Sequence, residues 1–393
     1  MYWGQNSHGV TNPGENQLPL DEYCDKESGD VLVLSFLSEF NADGLHPPGL
    51  NLANACVTTF TNTTLLHCPN IGRAITHCQK QGKIILLSMG GAAGAYGFAD
   101  DTQAERYADK LWDLFLGGNS MTRPFDDAII DGVDLDIEGG SSIGYVRFVQ
   151  RMRERFVEIP NRRFYVSAAP QCPYPDFYTG PVLDNAYLDM VFVQFYNNYC
   201  GVDKPNWFNY EQWHNWATNV APNKDVRIYM GVPGSPTAAS TGYIEGGALE
   251  EIVNATRKQF GTFGGLMVWD ASQAETNRVS QDFTFAKMAA KLLDSDKKCT
   301  DGSLPSSPVP VVETQTTTYM VSQTEVITTT ANNTASGLSV STGSSNSVSM
   351  PGNYSSSPVS ATGSSEVSEP KSPSTASNDT KGVQESNADP KTI

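Results

Sequence analysis

Asp131-Gly132-Val133-Asp134-Leu135-Asp136-Ile137-Glu138 sets carboxylates at 134, 136 and 138 between branched apolar residues at 133, 135 and 137. A period of two predicts a β-strand. Alternate side chains of a strand point to opposite faces. One face is therefore Val133, Leu135 and Ile137, and the other is a row of three acids. Like charges at that spacing repel one another. A fold keeps such a row only where the row has a use.

Similar short apolar runs lie on either side. They are Val31–Leu37, Lys83–Met89, Val133–Ile137, Phe164–Ala169, Met190–Phe195, Val226–Val232 and Gly264–Trp269, with Tyr2–Trp3 as the end of an eighth. Helical patterns fall between several of them. In Asp101–Leu116, Tyr107, Leu111, Leu114 and Phe115 share one face, Asp101 or Thr102 is placed to cap the start, and Gly117-Gly118 to end it. Tyr145–Val157 and Leu249–Phe260 read the same way. Apolar strands alternating with helices predict an α/β chain, a (β/α)8 barrel over residues 1–299. The rival is an open doubly wound sheet, whose usual Gly-x-Gly-x-x-Gly turn after the first strand is missing.

A barrel carries its chemistry at the C-terminal ends of its strands. Gly90-Gly91 follows the third run and Glu138 ends the fourth. Gln171 follows the fifth, Gln194, Tyr196 and Asn197 end the sixth, and Trp269-Asp270 ends the eighth. Carboxylates, amides, a phenol and an indole on one rim suit a sugar, whose ring faces stack on aromatics and whose hydroxyls need planar hydrogen-bonding groups. Glu138, at the tip of the acid row, is placed to reach a substrate. Crowded, partly desolvated carboxylates cannot all ionise, so protons are shared and at least one pKa rises. A carboxylic acid still protonated near the working pH is what glycosidic cleavage requires.

After Cys299 the composition changes to Ser, Thr and scattered Pro, without Trp, Phe or Cys. Such a segment buries too little apolar surface to offset its ordering entropy. Residues 300–393 are expected to be a disordered, O-glycosylated tail. The net charge of −17 disfavours nucleic acid and anionic membranes as partners. No apolar run is long enough for a membrane span. Cys24, Cys56, Cys68, Cys78, Cys172, Cys200 and Cys299 include no Cys-x-x-Cys pair, so disulfides are the better reading than zinc. With the Asn-x-Ser/Thr sequons at Asn62, Asn254, Asn332, Asn353 and Asn378, they predict an extracellular or wall-associated protein. No signal peptide is legible at Met1, and a leader is expected to precede the chain as given.

Asp131-x-x-Asp134-x-Asp136-x-Glu138 resembles the signature of glycoside hydrolase family 18, the chitinases. "YWGQN" at Tyr2–Asn6, "LLSMGG" at Leu86–Gly91, "AAPQCPYPD" at Ala168–Asp176, "QFYNNYC" at Gln194–Cys200 and "GGLMVWD" at Gly264–Asp270 resemble its class III branch of plants and fungi, in its order. The likeness covers roughly residues 2–295. It implies an endo-acting chitinase that works on chitin or chitooligosaccharides as a monomer, without cofactor or metal. Glu138 would be the acid, and the substrate's own N-acetyl oxygen would be the nucleophile, with retention. Asp136 would turn toward the acetamido N–H, Asp134 would share a proton with Asp136, and Tyr196 would bond the acetamido carbonyl. Trp269 would floor the sugar. Gln5, Asn51, Gly91 and Gln194 match substrate-lining positions. The resemblance also implies the pairs Cys24–Cys78, Cys56–Cys68 and Cys172–Cys200, leaving Cys299 without a partner.

Other readings remain beside this one. Three acids on a strand could hold Ca²⁺ or Mg²⁺. Gly90-Gly91 could be a tight turn, and Trp269 and Tyr196 could be core aromatics. Trp207, Trp213 and Trp216 could pack or could carry sugars. Barrels of this family also serve as lectins or hydrolase inhibitors, which typically lose the terminal Glu or its Asp neighbours. Only about 31 residues separate the seventh and eighth strands, too few for the small α+β domain found there in the bacterial branch, so an open groove is expected.

Overall fold

The computed structural model describes residues 1–26, 29–40 and 47–294. The expected tail at 300–393 and Cys299 lie outside the described residues. Eight parallel strands run in chain order, each hydrogen-bonded to the next. They are β1 (Tyr2–Trp3), β2 (Val31–Phe40), β3 (Ile84–Gly91), β4 (Gly132–Ile137), β5 (Tyr165–Ala168), β6 (Met190–Gln194), β7 (Arg227–Pro233) and β8 (Phe263–Trp269). Among the described residues no ladder joins β8 back to β1, although Tyr2 and Trp269 bring their rings to 5.7 Å across that seam. The result is a nearly closed (β/α)8 barrel. Between β7 and β8 lies one helix, Gly246–Gln259, and no strand.

The alternation in β4 sorts its residues as a strand must. Val133, Leu135 and Ile137 join the core under the helices. The acids face the barrel interior, whose own apolar cluster includes Tyr2, Val33, Phe36, Leu86, Phe192, Tyr196 and Met267. Register carries the interior row across three strands. Ser88 of β3 pairs with Asp134, which pairs with Ser167 of β5.

Two local expectations need correction. The helix Asp101–Phe115 is capped one residue earlier, by Asp100, whose carboxylate accepts the Gln103 N–H at 2.8 Å. The Gln103 side chain in turn accepts the Ala99 N–H at 2.7 Å. A second satisfied donor makes Asp100 the better start. Gly90 and Gly91 are the last residues of β3 and do not form a turn. Gly90 has φ +107, and a Cβ there would lie 2.2 Å from the Asp136 carbonyl, so only glycine lets β3 run this close to β4.

Three disulfides pair Cys24 with Cys78, Cys56 with Cys68 and Cys172 with Cys200. The last joins the loop after β5 to the loop after β6. Trp213 and Trp216 are buried, and their indole N–H groups donate to the Cys172 carbonyl and to Asp184, so both are packing residues. Trp207 is exposed.

Gly132 tests the β4–β5 register. Its φ is +151, and a Cβ would stand 1.9 Å from the Tyr165 carbonyl oxygen. Gly132→Ala is expected to lower stability by at least about 2 kcal/mol, read as a lower denaturant midpoint. An unchanged midpoint would mean that β4 and β5 do not pair this closely.

Candidate active site

The acid row is graded in depth. Asp134 is fully buried. Its Oδ2 accepts the Tyr2 hydroxyl at 2.8 Å and the Ser88 hydroxyl at 2.7 Å, and its Oδ1 accepts the Ser167 hydroxyl at 2.6 Å. Burial pushes its pKa up, and these three donors offset part of that rise. Asp136, one step toward the mouth, is also buried. Burial first, then the charges of Glu138 and Asp134, hold it well above the usual carboxylate range. Glu138 is half-buried at the mouth and is also raised, chiefly by burial.

The Asp136 and Glu138 carboxyls lie within hydrogen-bonding reach of each other. Asp134 accepts its hydrogen bonds from hydroxyls. One side chain spans the pair. The Gln194 amide donates to Asp136 Oδ1 at 2.9 Å and to Glu138 Oε1 at 3.4 Å, and also to the Ala169 carbonyl at 3.0 Å. The Gln171 side chain is a further donor to Glu138.

Tyr196 is buried beside this group. Burial and the charges of Asp136, Glu138 and Asp270 push its hydroxyl pKa well up, so it stays a neutral donor. Trp269 is partly exposed and backed by aromatic rings. Phe36 stacks against it at 5.8 Å, and Tyr2 lies at 5.7 Å. Gln5 ties the chain after β1 to β2, giving its amide hydrogens to the carbonyls of Ser35 at 2.7 Å and Asn51 at 3.0 Å. Only its Oε1 is left to accept from a ligand. The Asn51 side chain accepts the Ala53 N–H at 3.0 Å. The carbonyl of Gly91 accepts the Tyr96 hydroxyl at 2.6 Å.

The family 18 profile, described as glycosyl hydrolases family 18, matches residues 1–251. The chain belongs to glycoside hydrolase family 18. "Chitinase 1" of Rhizopus niveus is 51% identical over 277 residues, covering 70% of this chain and 54% of that protein. The chain thus spans about half the length of that relative. A "Class III chitinase" of Arthroderma benhamiae is 41% identical over 287 residues, covering 68% of this chain and 84% of that one. Among solved structures, a chitinase from Ipomoea carnea superposes with a TM-score of 0.61 at 29% identity, over 74% of this chain and 98% of that chain.

Several residues of this family 18 site were not singled out from the sequence. Ser88 and Ser167 are lone hydroxyls inside apolar runs, a signal that register alone could have connected to Asp134. Asp176 is buried, and its charge raises Glu138 and Asp136. Tyr96 gave no signal. Its hydroxyl accepts the Glu138 backbone N–H at 3.1 Å while donating to Gly91, so it clamps the end of β4 to the end of β3. Asp131, first in the acid motif, lies outside the site. It accepts from the Ile85 N–H and Gln79 and pairs with Arg162 at 2.7 Å, holding the opposite end of the strands.

The pH profile tests the Gln194 bridge. An N–H donated to a carboxylate favours its charged form and so lowers its pKa. Gln194→Met removes that donor, and the pKa of Glu138 should rise. The alkaline limb of kcat/KM should therefore move to higher pH. A limb that stays in place would show that Gln194 does not bond the ionising carboxyl.

Proposed function

We propose that this protein is an endo-acting chitinase that hydrolyses β-1,4-linked N-acetylglucosamine polymers with retention, by substrate-assisted catalysis. The observation that carries the reading is the Asp136–Glu138 pair, two raised carboxyls at the barrel mouth under one amide. Burial and like charge keep a proton in that pair at pH values where an exposed carboxylate has lost it. Glu138 is its outer member and would give the proton to the leaving oxygen. Asp136 would then turn to the acetamido N–H, and Tyr196 would aim the acetamido carbonyl at the anomeric carbon. Trp269, supported by Phe36, would floor that sugar.

A conventional retaining enzyme needs a second, attacking carboxylate about 5 Å from the acid. Asp136, within hydrogen-bonding reach of Glu138 and bridged to it by Gln194, is closer than that spacing, and Asp176 and Asp270 are turned to other work. Asp176 spends both oxygens on its own loop, accepting the N–H groups of Gln171, Tyr178 and Thr179 and the Thr179 hydroxyl. Asp270 caps the helix Ala271–Thr276 through Oδ1, and its Oδ2 is buried without a hydrogen-bond partner among the described residues and shut off from solvent. This arrangement supports the substrate's acetamido oxygen, the nucleophile that the family resemblance implies. The lone helix between β7 and β8 supports a groove open enough for internal cleavage. The lectin or inhibitor reading is disfavoured by the presence of Asp134, Asp136, Glu138 and Tyr196 together. The chitinase relatives support chitin as substrate, and the cysteine pairs and sequons support an extracellular or wall-associated place with a part in wall chitin turnover. No helix among the described residues is long and apolar enough to cross a membrane.

Glu138→Gln should lower turnover of chitooligosaccharides by about 10²- to 10⁴-fold while leaving their binding largely intact. A variant keeping a tenth of the activity would rule out Glu138 as the acid.

The mechanism is checked by the substrate. Fully deacetylated oligomers should be essentially inert, because intramolecular attack by a held group is worth effective molarities of about 10⁵ M or more. The new reducing end should appear first as the β-anomer by NMR. Initial α-anomer, or similar rates on deacetylated substrate, would exclude substrate assistance.

A further inference from the structure

The sequons at Asn62 and Asn254 fall among the described residues, and the fold treats them differently. Asn62-Thr63-Thr64 stands at the tip of a small hairpin on the connection from β2 to the helix Pro69–Lys80. The Phe60 N–H donates to the Leu65 carbonyl at 3.0 Å, the His67 N–H donates to the Thr58 carbonyl at 2.8 Å, and Thr59 and Leu66 form an antiparallel bridge. The Cys56–Cys68 disulfide closes the base. The Phe60 ring stacks on His67 at 4.3 Å, and His67 pairs with Asp126 at 2.7 Å. Asn62 itself takes φ 61, the left-handed conformation that asparagine tolerates better than most side chains.

The hairpin leaves the two outer residues of the sequon free. Its turn is closed by the middle one, Thr63, whose hydroxyl accepts the Leu65 N–H at 3.1 Å and donates to the Phe60 carbonyl at 3.3 Å. Asn62 and Thr64 are both exposed, and among the described residues neither side chain has a hydrogen-bond partner. Asn254 is the opposite case. It lies inside the helix Gly246–Gln259, where residues two apart point to opposite sides. Asn254 faces solvent, while Thr256 is buried on the inner face with Leu249 and Val253. While the helix is formed, the Thr256 hydroxyl cannot be read together with the Asn254 amide.

We infer that Asn62 is an N-glycosylation site of the folded protein and that Asn254 is not, which rests on the extracellular reading above. The Asn62 amide nitrogen forms a bond to the anomeric carbon of an oligosaccharide carried on a lipid diphosphate. The bond from that carbon to the diphosphate oxygen breaks, the nitrogen loses one proton, and the lipid diphosphate leaves. The transfer requires a Ser or Thr two residues after the asparagine. An exposed hairpin tip presents both groups at once and has room for a bulky, solubilising product. A groove of about 570 Å³ begins beside the tip, and Thr63, Leu65, Leu114, Ser120 and Thr122 are among its lining residues. Met121, between the last two, is 99% exposed. The inner sugars of the glycan have this groove to lie along, and they would cover Met121.

The test is transfer to the folded chain. Unmodified full chain with its disulfides formed is incubated with a lipid-linked oligosaccharide and an oligosaccharyltransferase, and the sites are read by peptide mass mapping. Asn62 should be modified and Asn254 should stay bare. Asn62→Gln should abolish modification of the hairpin peptide. So should Thr64→Ala, which keeps Asn62 and the Thr63 turn and so separates loss of the acceptor from loss of the hairpin. Reduced, unfolded chain should accept at both positions, and refusal of Asn254 there would mean that the helix is not what bars it. A folded chain left bare at Asn62, or modified equally at Asn254, would overturn the inference. Chain secreted from eukaryotic cells behind an added leader should carry an endoglycosidase-sensitive glycan at Asn62, and a secreted chain without one would also overturn it. Retention of the natural protein in the cytosol would instead overturn the extracellular reading and leave the transfer result standing.

Discussion

The Asp134 carboxyl, buried in the barrel interior, is the constraint on which the rest of the site depends. Placing a carboxyl away from water is costly unless its oxygens are hydrogen-bonded. Three hydroxyls from three strands meet that need: Tyr2 from β1, Ser88 from β3 and Ser167 from β5. They can converge only if β3, β4 and β5 keep their register and β1 comes across the interior. Removal of one donor would leave a buried acceptor short of a partner, a larger loss than the net value of an average hydrogen bond. The polar centre thus ties the strands together while it sets the base of the acid row.

From that base the row becomes a gradient. Asp134 is surrounded by hydroxyls, Asp136 by Gln194 and Glu138, and Glu138 by two amides and the open mouth. Repulsion along the strand is not removed. Burial raises all three pKa values, and at Asp136 the charges of Glu138 and Asp134 add to the rise. The backbone beneath is equally constrained. Gly90 lets β3 approach the Asp136 carbonyl, and Tyr96 fastens the Glu138 N–H to Gly91.

The rim continues this rigidity outward. The Gln171 backbone pairs with Gln194 in an isolated parallel bridge, the Gln171 side chain touches Asn198, and Cys172 is bonded to Cys200. The loop that carries Gln171 to Glu138 is therefore tied to the loop after β6.

Much of this was legible in the order of residues. The period of two in "DGVDLDIE" determined a strand with an acidic and an apolar face, and the spacing of eight apolar runs determined the barrel. The residues at the strand ends were already those found at the mouth: Glu138, Gln194, Tyr196 and Trp269. Contacts between distant positions were not legible. Asp131 and Asp134 look alike in the motif, yet one braces the far end of the strands and the other sits in the interior, because only the barrel decides which end of β4 faces the cleft. Ser88, Ser167 and Tyr96 became site residues through register and loop packing. Trp207, Trp213 and Trp216 were equivalent as letters, and only the packing of the helix Tyr210–Asn219 buried two and left the third in water. Sequence periodicity reports the direction of a side chain from its own backbone; what it meets there depends on segments many residues away, and those are placed only when the whole barrel assembles.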